Sequence, residues 1–125
     1  MKIKLSKVTM LNEVIRSILN NKEYKIDVVT KFQMLGILKS FETPLMNIDT
    51  IKNEKIMEYG TTNEEGGIYI DQSNVEKFSK FVTDMNELLN SDAEIDIEPL
   101  DAKIMSDIGL TADELMVLYD IMELK

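Results

Sequence analysis

Residues 94–100, Glu94-Ile95-Asp96-Ile97-Glu98-Pro99-Leu100, alternate acidic and apolar side chains up to a proline. Successive side chains of a strand point to opposite faces, so Ile95 and Ile97 share one face while Glu94, Asp96 and Glu98 share the other. Pro99 lacks the N–H that a further ladder bond needs, which stops the strand. The opening Lys2-Ile3-Lys4-Leu5 has the same period with the opposite charge. If the two strands neighbour one another, the lysines meet the carboxylates while Ile3, Leu5, Ile95 and Ile97 face a layer of helices. Each cross-strand charge pair contributes roughly 0.2–1 kcal/mol, so apolar packing decides the arrangement. The expected fold is α+β and helix-dominated, with four or five helices and a small sheet of two or three short strands, in a single domain over residues 1–125.

Outward from these strands the period becomes helical. Val8, Leu11, Ile15 and Ile18, widened by Leu19, predict a helix from about Lys7 to Asn20-Asn21. Asp27 caps a second helix with two apolar stripes, Val28/Phe32/Leu35/Leu38 and Met34/Ile37/Phe41. A helix apolar over so wide an arc packs on two sides or enters an oligomer interface, and a homodimer through it is the favoured expectation. Thr43-Pro44 reads as an N-cap with proline at the first helical position, hence a kink or restart. Helix then runs through Leu45, Ile48, Ile51 and Ile56 to Tyr59, with Gly60 as a left-handed cap. Asn63-Glu64-Glu65-Gly66-Gly67 forms a hairpin or strand-entry turn before a strand at Ile68-Tyr69-Ile70. Ser73 or Asn74 caps a helix with the stripe Val75, Phe78, Val82, Met85 and Leu89. After a turn or short helix ending at Gly109, the capping box Thr111-Ala112-Asp113-Glu114 opens a final helix through Leu115, Leu118, Tyr119 and Met122.

Composition removes whole classes of chemistry. The 125 residues include no His, Cys or Trp, and the net charge is -9. No imidazole base, thiolate nucleophile, disulfide, His- or Cys-ligated zinc site or iron–sulfur cluster is available. The serines lie in no Gly-x-Ser-x-Gly frame and the glycines in no phosphate-binding loop. The acidic run from Asp92 lacks the central glycine and terminal bidentate glutamate of a calcium loop, and is better read as a solvated strand face with lysine partners. No catalytic residue, metal ligand or cofactor is expected. No run of about 18 apolar residues predicts a membrane span, and the N-terminus lacks a signal-peptide core. The chain is read as cytoplasmic. Eight of nine methionines fall in helical stretches, first as core fillers and second as adaptable contact surface, above all Met116 and Met122 beside Tyr119.

Charge is divided along the chain. Residues 1–60 hold ten Lys/Arg and seven Asp/Glu, a net of +3, whereas residues 61–125 hold four and sixteen, a net of -12. Direct binding of nucleic acid is not expected, because phosphates need clustered cations. The acidic half serves solubility, or it offers a face to a basic partner groove of the kind that holds nucleic acid.

Several stretches together carry a resemblance. They are Lys2-Ile3-Lys4-Leu5, Lys55-Ile56-Met57-Glu58-Tyr59-Gly60, Glu64-Glu65-Gly66, Asn74 to Phe78, Glu87-Leu88-Leu89-Asn90, Glu94 to Leu100 and Leu110-Thr111-Ala112-Asp113-Glu114-Leu115. In this pattern of helices and charges the chain resembles a family of small, poorly characterised proteins of tailed phages and prophages of Gram-positive bacteria. Thr43-Pro44 departs from the uninterrupted middle helix of that family. The resemblance implies a viral setting inside a bacterial host and carries no catalytic signature. The expected function is therefore that of a non-enzymatic phage or prophage accessory protein. It would inhibit a host defence system, as an anti-CRISPR protein does, by binding a host protein with a basic surface, for example a nucleic-acid-binding effector. The expected partner-binding residues are Glu94, Asp96 and Glu98 on the strand, with Asp113, Glu114, Asp120 and Glu123 on the closing helix. The alternative is a virion or assembly component that self-associates through its broad apolar helix.

Overall fold

A computed structural model describes residues 1–124. The chain order is β1 (Lys2–Lys4), α1 (Leu5–Asn20), α2 (Val28–Ser40), α3 (Glu42–Tyr59), β2 (Thr61–Thr62), β3 (Ile68–Tyr69), α4 (Val75–Leu89), β4 (Asp92–Glu94), β5 (Leu100–Asp101), α5 (Ala102–Asp107), α6 (Ala112–Leu118), a 3₁₀ turn (Tyr119–Ile121) and β6 (Met122–Glu123). The fold is α+β and helix-dominated. Its strands form three separate pairs rather than one sheet: β1 with β4 and β2 with β3, both antiparallel, and β5 with β6 in parallel. None of the described helices is long and apolar enough to cross a membrane.

The core is built around α1. Val8, Leu11, Ile15 and Ile18 are fully buried, and Met34, Ile37, Leu38 and Phe41 pack against them with Ile3, Ile95, Leu100, Met105, Leu118 and Ile121. Spacing of three and four residues keeps the α1 set on one side of the helix, which is how one helix organises so much of the interior. Of the methionines, Met34 and Met105 are fully buried in this core and Met122 packs against it.

The two charged strands do pair, with Lys2 opposite Glu94, Ile3 opposite Ala93 and Lys4 opposite Asp92. The strand nevertheless spans Asp92–Glu94 and not Glu94–Glu98. β1 offers only three residues to pair, and Met1 adds the last contacts: Ile95 N–H donates to the Met1 carbonyl at 2.9 Å, and the Met1 ammonium donates to Ile95 O at 3.1 Å and Glu94 Oε1 at 3.0 Å. Residues 96–98 lie beyond the end of β4. Ile95 is buried all the same and Ile97 packs against the core, so the alternation reports burial without a ladder.

Three further expectations are corrected. α2 and α3 divide at the buried Phe41, so Thr43 lies within the first turn of α3 and is not its cap. Pro44 falls at the third helical position, where the missing N–H breaks no intrahelical bond. Gly60 is extended, with φ -79°, and is no left-handed cap. Its need for glycine is steric, because a Cβ there would strike the Ile56 carbonyl oxygen and Ile68 Cγ2. The last helix ends at Leu118, before Tyr119 and Met122. The chain turns there, which buries Ile121 completely and lets Met122–Glu123 pair with β5.

The hairpin β2–β3 and α4 form an arm outside the main core. Asn63 closes the hairpin, its Oδ1 accepting from the N–H groups of Glu65 and Gly67 at 3.0 and 2.8 Å, and Gly66 supplies the left-handed φ of 84°. Asn74 caps α4 by accepting from Lys77 N–H. No α4 residue is fully buried, and Val75 and Val82 of the expected stripe are exposed. Polar contacts link the arm to α3, beside the half-buried Phe81, Met85 and Leu89 of α4. Tyr59 Oη donates to Asp84 Oδ2 at 2.9 Å, and Lys55 Nζ reaches Asp84 at 3.4 Å and Glu58 at 3.0 Å while lying over the Tyr59 ring.

Candidate functional site

Both faces of α2 are apolar, and the core takes only one. Met34, Ile37, Leu38 and Phe41 turn inward. At about 100° per residue, Val28, Val29, Phe32, Leu35 and Gly36 fall within an arc of about 120° on the other side. Val28 is 82% exposed, Val29 66%, Phe32 78% and Leu35 55%. A soluble helix ordinarily turns charge outward, so contiguous outward apolar side chains mark a contact surface. The helix itself is well anchored. Asp27 accepts from Thr30 N–H at 3.1 Å and from Thr30 Oγ1 at 2.6 Å, satisfying the one buried polar side chain of the helix. Those two bonds, the hydroxyl first, hold the Asp27 carboxyl below its ordinary range.

Residues 96–98 run alongside this face. Anchored by buried Ile95 on one side and buried Leu100 on the other, the segment crosses beside α2 and leaves a groove of about 420 Å³. Val29, Phe32, Gln33, Gly36 and Ile37 line one wall; Asp96, Ile97 and Glu98 line the other. Gly36 has no structural reason to be glycine. A Cβ added there would meet nothing within 4 Å, and glycine inside a helix costs roughly 0.5–1 kcal/mol relative to alanine. The groove thus keeps its depth at the expense of helix stability.

The expected carboxylates do not form one face. Asp96 and Glu98 come together at the groove. Glu94 projects from β4 and pairs with the Met1 ammonium. Asp113 is exposed in the first turn of α6. Glu114 is engaged inside the protein, where its Oε1 accepts from Tyr24 Oη at 2.5 Å and Thr111 N–H at 2.9 Å. Burial pushes its carboxyl up, but the Tyr24 and Thr111 bonds outweigh this and leave it below its ordinary value. Asp120 lies in the 3₁₀ turn at 3.6 Å from Lys7 Nζ. With Asp92, Lys2, Lys4 and Lys7 it borders a cleft of about 650 Å³, where acid and base are mixed. Glu123 is exposed on β6 opposite Asp101.

Sequence periodicity finds two stripes on α2, but the core takes Leu38 from the first together with Met34, Ile37 and Phe41 of the second, and leaves Val28, Phe32 and Leu35 outward, with Asp96 and Glu98 across the groove from Phe32. A second apolar patch, Leu115, Met116, Tyr119 and Met122, lies where α6 passes into the 3₁₀ turn. No group of three or more carboxylates placed to hold a metal ion occurs among the described residues. What the α2 surface offers chemically is apolar contact with carboxylates along one edge. No family model, no curated protein and no solved structure matches this chain.

Proposed function

We propose that the protein acts by binding another protein through a surface where carboxylates border exposed apolar side chains, and that the partner surface is basic. The observation that carries this reading is the placement of Asp96 and Glu98 beside Phe32 and Gly36 across one groove. Apolar contact supplies affinity, while the carboxylates steer a basic partner and reject acidic ones. In the phage or prophage setting that the resemblance implies, the binder inhibits a host defence system in the manner of an anti-CRISPR protein, occupying a groove that otherwise holds nucleic acid. The action is steric and consumes no substrate.

The test is a pull-down from bacterial lysate with the parent chain and a Glu94→Lys, Asp96→Lys, Glu98→Lys variant. The parent is expected to recover a protein with a basic surface that the variant loses. Equal recovery by both removes the acidic-face mechanism. The outward face of α2 also favours a second reading, a virion or assembly component that self-associates through this helix. A dimer in light scattering that dissolves in a Phe32→Asp variant supports that reading, whereas a 14.3 kDa species removes it.

A further inference from the structure

We infer that the groove between α2 and residues 96–98 seats a basic amphipathic helix of the partner, with one large apolar side chain over Gly36 and a Lys or Arg beside Asp96 or Glu98. The inference rests on the reading above that the protein binds a basic partner, and it names the seat. The exposed side chains at 28, 29, 32 and 35 with Gly36 follow the i, i+4 and i+7 spacing by which one helix packs its ridges against another. Phe32 and Leu35 supply the ridge, and Gly36 supplies the hole into which a facing side chain fits. Ile37 on one wall and Ile97 on the other add apolar lining, and the carboxylates stand on only one wall. An apolar stripe with cations along one edge is the complementary surface, and an amphipathic helix presents it in the helix-in-groove mode. A second copy of this chain is the poorer occupant, since each copy carries a net charge of -9.

The inference is tested with a phage-displayed library of amphipathic helices of about 15 residues, long enough to be helical when docked. Binders are selected on the wild-type chain and depleted on Phe32→Asp. The recovered peptides are expected to pair a large apolar residue with Lys or Arg on one edge. Fluorescence anisotropy with such a peptide should show at least about tenfold weaker binding to Gly36→Leu, which fills the hole, and to Asp96→Lys, Glu98→Lys. Circular dichroism melting should show Gly36→Leu at least as stable as the parent, so that lost binding is not lost folding. Acidic consensus peptides, no enrichment over Phe32→Asp, or equal binding by Gly36→Leu would overturn the inference. So would a homodimer that Phe32→Asp dissolves, which would assign the face to a second copy. If charge reversal abolishes lysate capture while Phe32→Asp and Gly36→Leu do not, the basic partner stands and this seat is wrong.

Discussion

Phe32 and Phe41 are nine residues apart, about two and a half helical turns, and lie on opposite sides of the same helical stretch: Phe41 is fully buried, Phe32 78% exposed. Two side chains of the same kind therefore do different work. Phe41 closes the core at the junction of α2 and α3, and Phe32 stands at the edge of the acidic groove.

Their substitutions should separate stability from binding. Phe41→Ala should cost about 3–5 kcal/mol through lost burial and the cavity left behind. Phe32→Asp should change stability by no more than about 0.5 kcal/mol. Urea unfolding of both variants checks this. A large loss from Phe32→Asp would mean that its side chain supports the fold.

Two glycines should respond in opposite directions. Gly36→Ala meets open space and removes the penalty of glycine in a helix, so it should stabilise by up to about 1 kcal/mol. Gly60→Ala drives a methyl group into the Ile56 carbonyl and the Ile68 side chain, and should destabilise by about 1–3 kcal/mol. Thermal melting of the pair reads both signs.

Stability should fall at both ends of the pH range. Asp27, Asp71 and Glu114 have carboxyls lowered by folding. Their contribution is present above the ordinary carboxylate range, roughly pH 4–4.5, and is lost as pH falls through the lowered values. Tyr24 and Tyr59 are raised, first by donating to Glu114 and Asp84. Their contribution is present below about pH 10 and is lost as pH rises through the raised values. No imidazole titrates between these limits. Tyr24→Phe and Glu114→Ala should each flatten the profile at one end, and their costs should be non-additive because they remove a shared bond. Additive effects would show that the 2.5 Å contact is not a working pair.

The arm should open before the core does. α4 buries no side chain completely and is tied to α3 through Asp84. Amide exchange is expected to be faster across residues 61–90 than in α1, and Asp84→Ala should speed it further with little effect on α1. Uniform protection over both regions would contradict this.

Local signals in the sequence carry most of the helices. Asp27, Asn74 and Thr111 cap where their side chains reach the next N–H groups, and Gly109 turns with φ 89°. These depend on a few adjacent residues and are legible for that reason. What fails depends on distant chain. Glu94–Glu98 alternates as a strand should, yet β1 spans three residues and the paired strand ends at Glu94. Met122 continues the helical spacing of α6, yet β5 draws it into a parallel pair. The site divides in the same way. Asp96 and Glu98 are identifiable as an acidic edge, but their apolar neighbour is set by how α2 rotates against α1. Glu114 is recognisable as a capping-box residue, while its bond to Tyr24 spans 90 positions of chain and leaves no trace in local pattern.

The most direct measurement of the binding account is the salt dependence of partner capture from a bacterial lysate on the immobilised chain, from about 50 mM to about 500 mM salt. Exposed charges are screened beyond about 8 Å at physiological ionic strength. The account predicts a captured protein that elutes progressively as salt rises, that heparin displaces, and that the Glu94→Lys, Asp96→Lys, Glu98→Lys variant fails to hold. Capture that is indifferent to salt and heparin, and equal for the variant, would contradict it.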